Sequence, residues 1–292
     1  MKRALERSLV WFSWVCAAVL LGTVFCIIGY LFLKGAGTLN QKLIFGDTLP
    51  LDAILFKRQV FNGLFPAMVG TFFLVLASVL WAVPVGLATG IHLAEYAGPG
   101  FKAVFNIFFD ILAGIPSIVI GLFGFAFAVF LHRHYSEEIQ PCLLISSLAL
   151  AFLVLPYIIR TTQVSLESIP PHIRLTALAL GATRQQNIIH VLIPHSLSGI
   201  ISGVILAIGR SAEDTAVIML TGVVATAGVP RSLLSHYEAL PFYIYYVSSQ
   251  YANQQELLTC YGASIILLVI CVILFSVSFL IKQRLAYLAF YR

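Results

Sequence analysis

Three ionisable side chains lie inside an otherwise apolar stretch, where Arg210, Glu213 and Asp214 stand among glycine, alanine, isoleucine and valine. Ionisable groups in such stretches are costly, and they usually pair with one another or face a polar cavity. Arginine stays charged at any working pH, and its planar fork of N–H donors suits oxyanions. On a helix, Arg210 can meet Asp214 four residues on, with Glu213 beside the pair. The pattern predicts either an ion pair that only fixes helix packing or a pathway for an anion.

The composition indicates what surrounds these charges. Of 292 residues, 60% are hydrophobic and only 10% are charged, and the mean hydropathy is +0.97. A soluble domain carries about a quarter charged residues. The composition therefore excludes a soluble enzyme, a nucleic-acid-binding domain, a disordered tail and a disulfide-rich secreted module. It indicates a protein embedded in membrane lipid.

Six stretches are long enough to cross a bilayer, which takes about 20 apolar residues in a helix. Each must be helical, because hydrocarbon offers no partner to backbone N–H and C=O groups. We therefore predict an all-α membrane protein with six transmembrane helices. The predicted spans are residues 10–33, 60–93, 103–131, 139–159, 196–229 and 257–281.

Basic residues set the expected orientation of these spans. The formal net charge is +5, and lysines and arginines accumulate in the cytoplasmic segments of membrane proteins. Their density is higher on one side if the N-terminus is inside, so we expect both termini and the segment 161–195 to be cytoplasmic. The first span follows Lys2 and Arg3 as a signal peptide would, but it is too long, and we interpret it as a retained anchor.

The segment 161–195 predicts two short helices joined at a glycine. A helix over residues 173–180 is expected to end at Gly181, which adopts the left-handed conformation easily. A second helix over 182–191 is expected to stop at Pro194. Such a segment either lies on lipid headgroups or docks a partner protein.

The spacing of four residues in this segment resembles that of a known loop. Arg174, Ala177, Gly181 and Pro194 match the pattern of the cytoplasmic loop of bacterial ABC importer permeases, with Leu175 at the position of the family's glutamate. In that family the loop inserts into a cleft on an ATPase subunit, and we call residues 161–195 the coupling loop. The chain has no G-x-x-x-x-G-K-[ST] phosphate loop. The resemblance therefore implies that ATP and Mg²⁺ bind a partner ATPase and that this chain binds no cofactor.

A second resemblance falls on the charged stretch. Residues 210–216 (RSAEDTA) are similar to the Arg-Ala-x-Gly-Glu-Thr-Ala signature of phosphate importer permeases, and residues 114–117 (GIPS) resemble another motif of the same permeases. The kink expected at 114–117 would either line a pathway or belong to ordinary packing. Residues 239–263 look like the A-type subunit of that family. The resemblance implies a substrate pathway formed by Arg210, Glu213, Asp214, Thr215 and Ser117.

The resemblance also implies an architecture and partners. It implies the type I ABC importer permease fold, with an anchor helix and outer loop over 1–59 and a permease core over 60–292. The chain would be a transporter subunit and not an enzyme, and it would transport inorganic phosphate across a bacterial inner membrane. Its partners would be a second homologous permease, an ATPase dimer and an extracytoplasmic phosphate-binding protein. The alternatives are a permease for phosphonate, molybdate or sulfate, and a self-sufficient secondary transporter or channel.

One histidine-rich segment raises the question of a metal. His132, Arg133 and His134 are better explained as part of a solvated loop than as ligands of a metal ion. We therefore predict no metal site in this chain.

Overall fold

The computed structural model describes residues 2–57, 59–60, 62–137 and 140–290. Its regular elements within these ranges are helices, joined by a 3₁₀ turn at Ala36–Thr38 and a π-helical turn at Ile188–Leu192. In chain order the α-helices are α1 (Lys2–Gly35), α2 (Gln41–Phe45), α3 (Pro50–Ile54), α4 (Phe65–Glu95), α5 (Pro99–Gly114), α6 (Ser117–His134), α7 (Leu143–Glu167), α8 (Pro171–Ala179), α9 (Arg184–Asn187), α10 (Ile193–Glu213), α11 (Ala216–Thr221), α12 (Leu240–Gln250) and α13 (Gln254–Phe290).

Within the described ranges, six helical segments are long and apolar enough to cross a membrane. They confirm the prediction of an all-α protein with six spans, although the bounds of every span differ and two predicted spans are broken within their length. The observed spans are Glu6–Thr38, Phe65–Glu95, Ser117–His134, Leu143–Glu167, Arg184–Glu213 and Gln254–Leu285.

The centre of the fold is α7, which packs between α4 and α10. Gly90 of α4 lies directly against Thr162, and Gly203 of α10 lies against Thr161, so neither glycine has room for a Cβ atom. Small residues at helix contacts let two backbones approach closely, which compensates for the lack of a hydrophobic driving force within lipid. The three helices therefore form a tightly packed unit.

The third predicted span, 103–131, is wrong as a single helix. The chain is helical to Gly114, extended at Ile115 and Pro116, and helical again from Ser117. Proline has no N–H to donate, and it forces the preceding residue out of the helical region. The result is two helices, of which α6 is long enough to span the membrane.

The fifth predicted span, 196–229, is also wrong beyond its first half. Helix α10 ends at Glu213, and Asp214 is extended with φ −73° and ψ 120°. The Asp214 carboxylate accepts a hydrogen bond from the N–H of Val217 at 2.8 Å. A short acidic side chain that bonds the backbone ahead of it favours a new helix start over continuation of the old helix. Helix α11 then ends at Gly222, whose φ is +145°.

Pro194 does not stop a helix, which corrects the expectation for the coupling loop. It lies in the first turn of α10, directly after the π-helical turn. The N–H of Ile193 bonds back five residues to the carbonyl of Ile188. The wider π turn relieves the clash that a proline ring makes with the preceding turn of a regular helix. The chain therefore runs from α9 through the π turn into α10.

Candidate substrate pathway and coupling loop

Arg210 lies near the middle of the membrane-spanning unit. Along the α7–α10 contact, Gly199 lies against Ser165 and Gly203 against Thr161. The same antiparallel register, continued along α10, places Arg210 level with Val154. Because α7 runs from Leu143 to Glu167, this level is close to its midpoint.

Arg210 pairs with Glu213 and not with Asp214 as the spacing predicted. A side-chain nitrogen of Arg210 lies 3.1 Å from Oε1 of Glu213. Asp214 has left the helix, and its buried carboxylate caps α11. The predicted i,i+4 pair fails because the helix ends one residue too early. Glu213, which replaces a glycine of the family signature, is therefore the acid that meets the arginine.

The Arg210–Glu213 pair is open to its surroundings. The Glu213 side chain is 64% exposed and that of Arg210 is 40% exposed. Nε of Arg210 is buried and has no hydrogen-bond partner among the described residues. Charged groups at mid-depth do not face hydrocarbon but a polar cavity or another protein. This face of α10 is therefore incomplete in the single chain, and the exposed part of the guanidinium is suited to binding an anion.

The other two predicted pathway residues flank the break between α10 and α11. Thr215 is the N-cap residue of α11 and is half-buried. Ser117 is the first residue of α6, and one turn later Gly121 lies against the backbone of Ala216. The structure thus brings the start of α6 beside α11 without giving Ser117 a contact to Arg210.

The coupling loop presents an apolar outer surface around Gly181. Gly181 has φ +86°, as predicted for a left-handed helix end, and a Cβ added there would meet nothing within 4 Å. Leu175, Leu178 and Leu180 are all exposed. Ala177 accepts the N–H groups of the turn through its carbonyl. An exposed apolar knob of this kind is suited to docking against another protein.

Arg174, predicted as a docking residue, points into the protein. Its guanidinium pairs with the carboxylate of Glu95 and donates to the carbonyl of Leu166 at 2.7 Å. Sequence reasoning missed Glu95, although a signal was present. An acid at the C-terminal end of a helix opposes the helix dipole and indicates a bound cation.

A second missed carboxylate lies at the opposite end of the chain's fold. Glu238 is 9% exposed, and its Oε1 accepts the N–H groups of Ala227 at 2.9 Å and Gly228 at 2.7 Å. Burial raises the pKa of this carboxyl, and the two backbone hydrogen bonds oppose the rise. Glu238 lines a cavity of about 940 Å³ between the segment before α4 and helices α12 and α13.

The helical fold, the six spans and the open charged pair at mid-depth define a multi-pass membrane protein of the permease class. A family model supports this conclusion over most of the chain. The chain belongs to the family of binding-protein-dependent transport system inner membrane components, whose model matches residues 82–287. The division of the chain at residue 59 stays a prediction.

Individual relatives agree with the family. The phosphate transport system permease protein PstA of Haemophilus influenzae is 33% identical over 217 residues, which cover 74% of each chain. PstA of Yersinia pestis is 33% identical over 218 residues, covering 74% of this chain and 70% of that one. These matches confirm the resemblance that the coupling loop and residues 210–216 indicated.

A solved structure supports the fold. The methionine ABC transporter MetNI in an inward-facing conformation has a chain that superposes with a TM-score of 0.58 at 18% identity. The match covers 82% of this chain and 99% of that chain. It confirms the predicted importer permease fold.

Proposed function

We propose that this chain is the membrane permease subunit of an ATP-driven importer of inorganic phosphate. The single observation that carries the proposal is the open Arg210–Glu213 pair at mid-depth, in which a partly exposed guanidinium lies beside an exposed acid. A fixed positive charge attracts an oxyanion, and a single such group still lets the ion leave. The similarity to PstA proteins favours phosphate over phosphonate, molybdate or sulfate.

The open face of α10 supports a second permease as a partner. The exposed side chains of Ser202, Leu206 and Glu213 lie within a narrow sector of that helix, and the polar ones would be costly in contact with lipid. A second, homologous permease placed against this face would complete a water-filled pathway. Each chain would then supply half of the pathway.

The coupling loop supports an ATPase partner. Gly181 and the exposed leucines around it form a projecting surface, and the chain itself lacks a phosphate-binding loop for ATP. ATP and Mg²⁺ would bind an ATPase dimer docked on this surface, and phosphate would cross without chemical change. An extracytoplasmic phosphate-binding protein would deliver the anion to the opposite side.

The proposed orientation has the coupling loop and both termini in the cytoplasm of a bacterial cell, with the spans in its inner membrane. Lys282, near the end of α13, donates to the hydroxyl of Ser202 at 2.9 Å. Ser202 lies eight residues before Arg210 in α10, towards the coupling loop, which supports a C-terminal end on the coupling-loop side. Because six crossings return a chain to the side on which it starts, the N-terminus would lie on that side as well.

The test is uptake of radiolabelled phosphate by liposomes that hold both permeases and the ATPase dimer, with the binding protein outside. The wild type is expected to take up phosphate only with ATP inside, and unlabelled sulfate or molybdate should compete weakly. Arg210→Gln should lower uptake at least about a hundredfold, which corresponds to about 2.8 kcal/mol of lost binding. Arg133→Gln, at the exposed end of α6, is the matched control and should keep wild-type uptake.

Two results would contradict the proposal. Wild-type uptake by Arg210→Gln would exclude an essential role of this guanidinium in the pathway. Uptake by this chain alone, without the ATPase, would favour a secondary transporter or channel.

A further inference from the structure

One residue at the end of α4 holds both halves of the coupling loop. The carboxylate of Glu95 pairs with the guanidinium of Arg174 in α8. The main-chain carbonyl of the same residue accepts a hydrogen bond from Arg184 in α9. The Arg184 guanidinium also lies over the ring of Tyr96, 4.7 Å from its centroid. Gly181 lies between the two arginines in the chain. Glu95 therefore contacts the coupling loop on both sides of its exposed tip.

Arg174 makes two further hydrogen bonds, both within the protein. The second amino group of Arg174 donates to the carbonyl of Leu166 at the end of α7. The carbonyl of Arg174 accepts from the side-chain amide of Asn187 at 3.0 Å. We call Glu95, Arg174 and Arg184 the Glu95 latch. The inner side of the coupling loop is thus fixed to α4 and α7, while its outer side is exposed.

Helix α4 can carry a displacement of the latch across the membrane. It is helical over 31 residues, with Pro84 in its interior, and this length corresponds to about 46 Å at 1.5 Å per residue. Gly86 and Gly90 lie so close to α7 that neither has room for a Cβ atom. A shift applied at Glu95 therefore moves α4 and α7 together, because close-packed helices transmit strain.

The far end of α4 contacts the segment that precedes α12. Gly70 lies against the carbonyl of Glu238, and the hydroxyl of Thr71 accepts the N–H of Leu240 at 2.9 Å. Helix α4 thus connects the coupling loop at one end of the molecule to the segment around Glu238 at the other.

We propose that Glu95 is the positioning residue that couples displacement of the coupling loop to movement of the α4–α7 unit. The proposal rests on the proposed function, because the ATPase supplies the displacement. Arg174 then acts through Glu95 and does not touch the ATPase itself. A chain without the latch would still dock the ATPase through its exposed leucines, but ATP hydrolysis would no longer drive transport efficiently.

The experiment measures phosphate uptake and ATP hydrolysis in the same liposomes, with the complete importer reconstituted. Glu95→Gln should leave the subunits copurifying and lower the phosphate transported per ATP at least tenfold. Arg174→Gln should do the same. The double variant should be no worse than either single variant, because the two side chains act as one unit.

The matched control is Glu167→Gln at the end of α7. Glu167 forms the neighbouring ion pair with Lys102 at 2.5 Å, at the same end of the molecule but outside the latch. Its ratio of transport to hydrolysis should stay within twofold of the wild type. A merely structural role for charges at this end would lower the ratio in both variants alike.

Several outcomes would overturn the proposal. A ratio within twofold of the wild type in assembled Glu95→Gln complexes would do so, and so would an equal loss in Glu167→Gln. If Glu95→Gln fails to assemble, Arg174→Gln decides, because it removes the same ion pair from the side of α8. A lowered ratio in that variant supports the latch, and an unchanged ratio overturns it. A wild-type importer without ATP-driven phosphate uptake contradicts the proposed function instead.

Discussion

Two arginine–glutamate pairs in this chain consist of the same chemical groups but differ in burial and in their proposed roles. In the pair between α8 and α4, the Arg174 side chain is 26% exposed and that of Glu95 is 7% exposed. In the pair on α10, the corresponding values are 40% for Arg210 and 64% for Glu213. Arg174 also donates to a backbone carbonyl, whereas Nε of Arg210 has no partner among the described residues. The Arg174–Glu95 pair is too buried to bind a further ligand, whereas the Arg210–Glu213 pair is exposed enough to bind one.

The difference comes from where each partner sits in the sequence. Glu95 and Arg174 are 79 positions apart, so their pairing depends on the tertiary fold and in turn supports it. Arg210 and Glu213 share one helix, and their contact needs no other element. A buried pair between elements fixes structure, while an exposed pair within one helix adds little stability and leaves its arginine available.

The largest effect is expected when the buried Arg174–Glu95 pair is broken. Arg174→Ala leaves the Glu95 carboxylate buried without its cation, and removing one partner of such a pair costs about 3 kcal/mol. Arg210→Ala, the matched variant of the open pair, should cost less than about 1 kcal/mol. Thermal unfolding of the purified chain in detergent measures both. The comparison is wrong if the two variants lower the unfolding temperature equally.

Part of this picture could be predicted from the sequence, because it depends on local pattern. Six spans follow from apolar length, and the left-handed turn at Gly181 follows from the freedom of glycine at positive φ. The charged stretch was visible because charges are rare in apolar segments. These features need only neighbouring residues.

The rest could not be predicted, because it depends on distant contacts or on competition between local structures. Glu95 lies at the end of an apolar span, and no residue near it in the sequence predicts that Arg174 is its partner. The break at Asp214 depends on whether a carboxylate caps a new helix or the old helix continues, and spacing alone favoured continuation. At Pro194 the expected stop gave way to a π-helical turn, which no simple pattern indicates.

A third carboxylate, that of Glu238, sharpens the comparison because it is buried and no cation pairs with it among the residues that the structure describes. Glu238 accepts two backbone N–H groups, so Glu238→Ala leaves both donors unpaired and should cost about 1–3 kcal/mol. Glu238→Gln keeps an amide oxygen for the same donors and should stay within about 0.5 kcal/mol of the wild type at acidic pH. Chemical unfolding of the two variants side by side measures the difference. An equal loss of unfolding free energy in both variants would show that the hydrogen bonds to Ala227 and Gly228 do not stabilise the fold.

The same residue gives the stability of the chain a pH dependence. Burial raises the pKa of Glu238 above its ordinary value of 4.5. The folded state therefore binds the proton more tightly than the unfolded state, and this contribution is complete below pH 4.5. It is lost as the pH rises through the raised pKa. Stability measured from pH 4.5 upward should fall more steeply in the wild type than in Glu238→Gln, and parallel curves would contradict this assignment.

The smallest expected effect concerns the open pair. Glu213→Gln keeps a hydrogen-bond acceptor beside Arg210 but removes the negative charge that competes with an incoming anion. Exposed ion pairs are worth about 0.2–1 kcal/mol, so the KM for phosphate uptake should fall by up to about fivefold. Initial uptake rates over a range of phosphate concentrations measure this change, and Glu137→Gln, in an exposed segment after α6, is the matched control. An unchanged or higher KM in Glu213→Gln would mean that the acid does not compete with the anion, and the two arginine–glutamate pairs would then differ in burial alone.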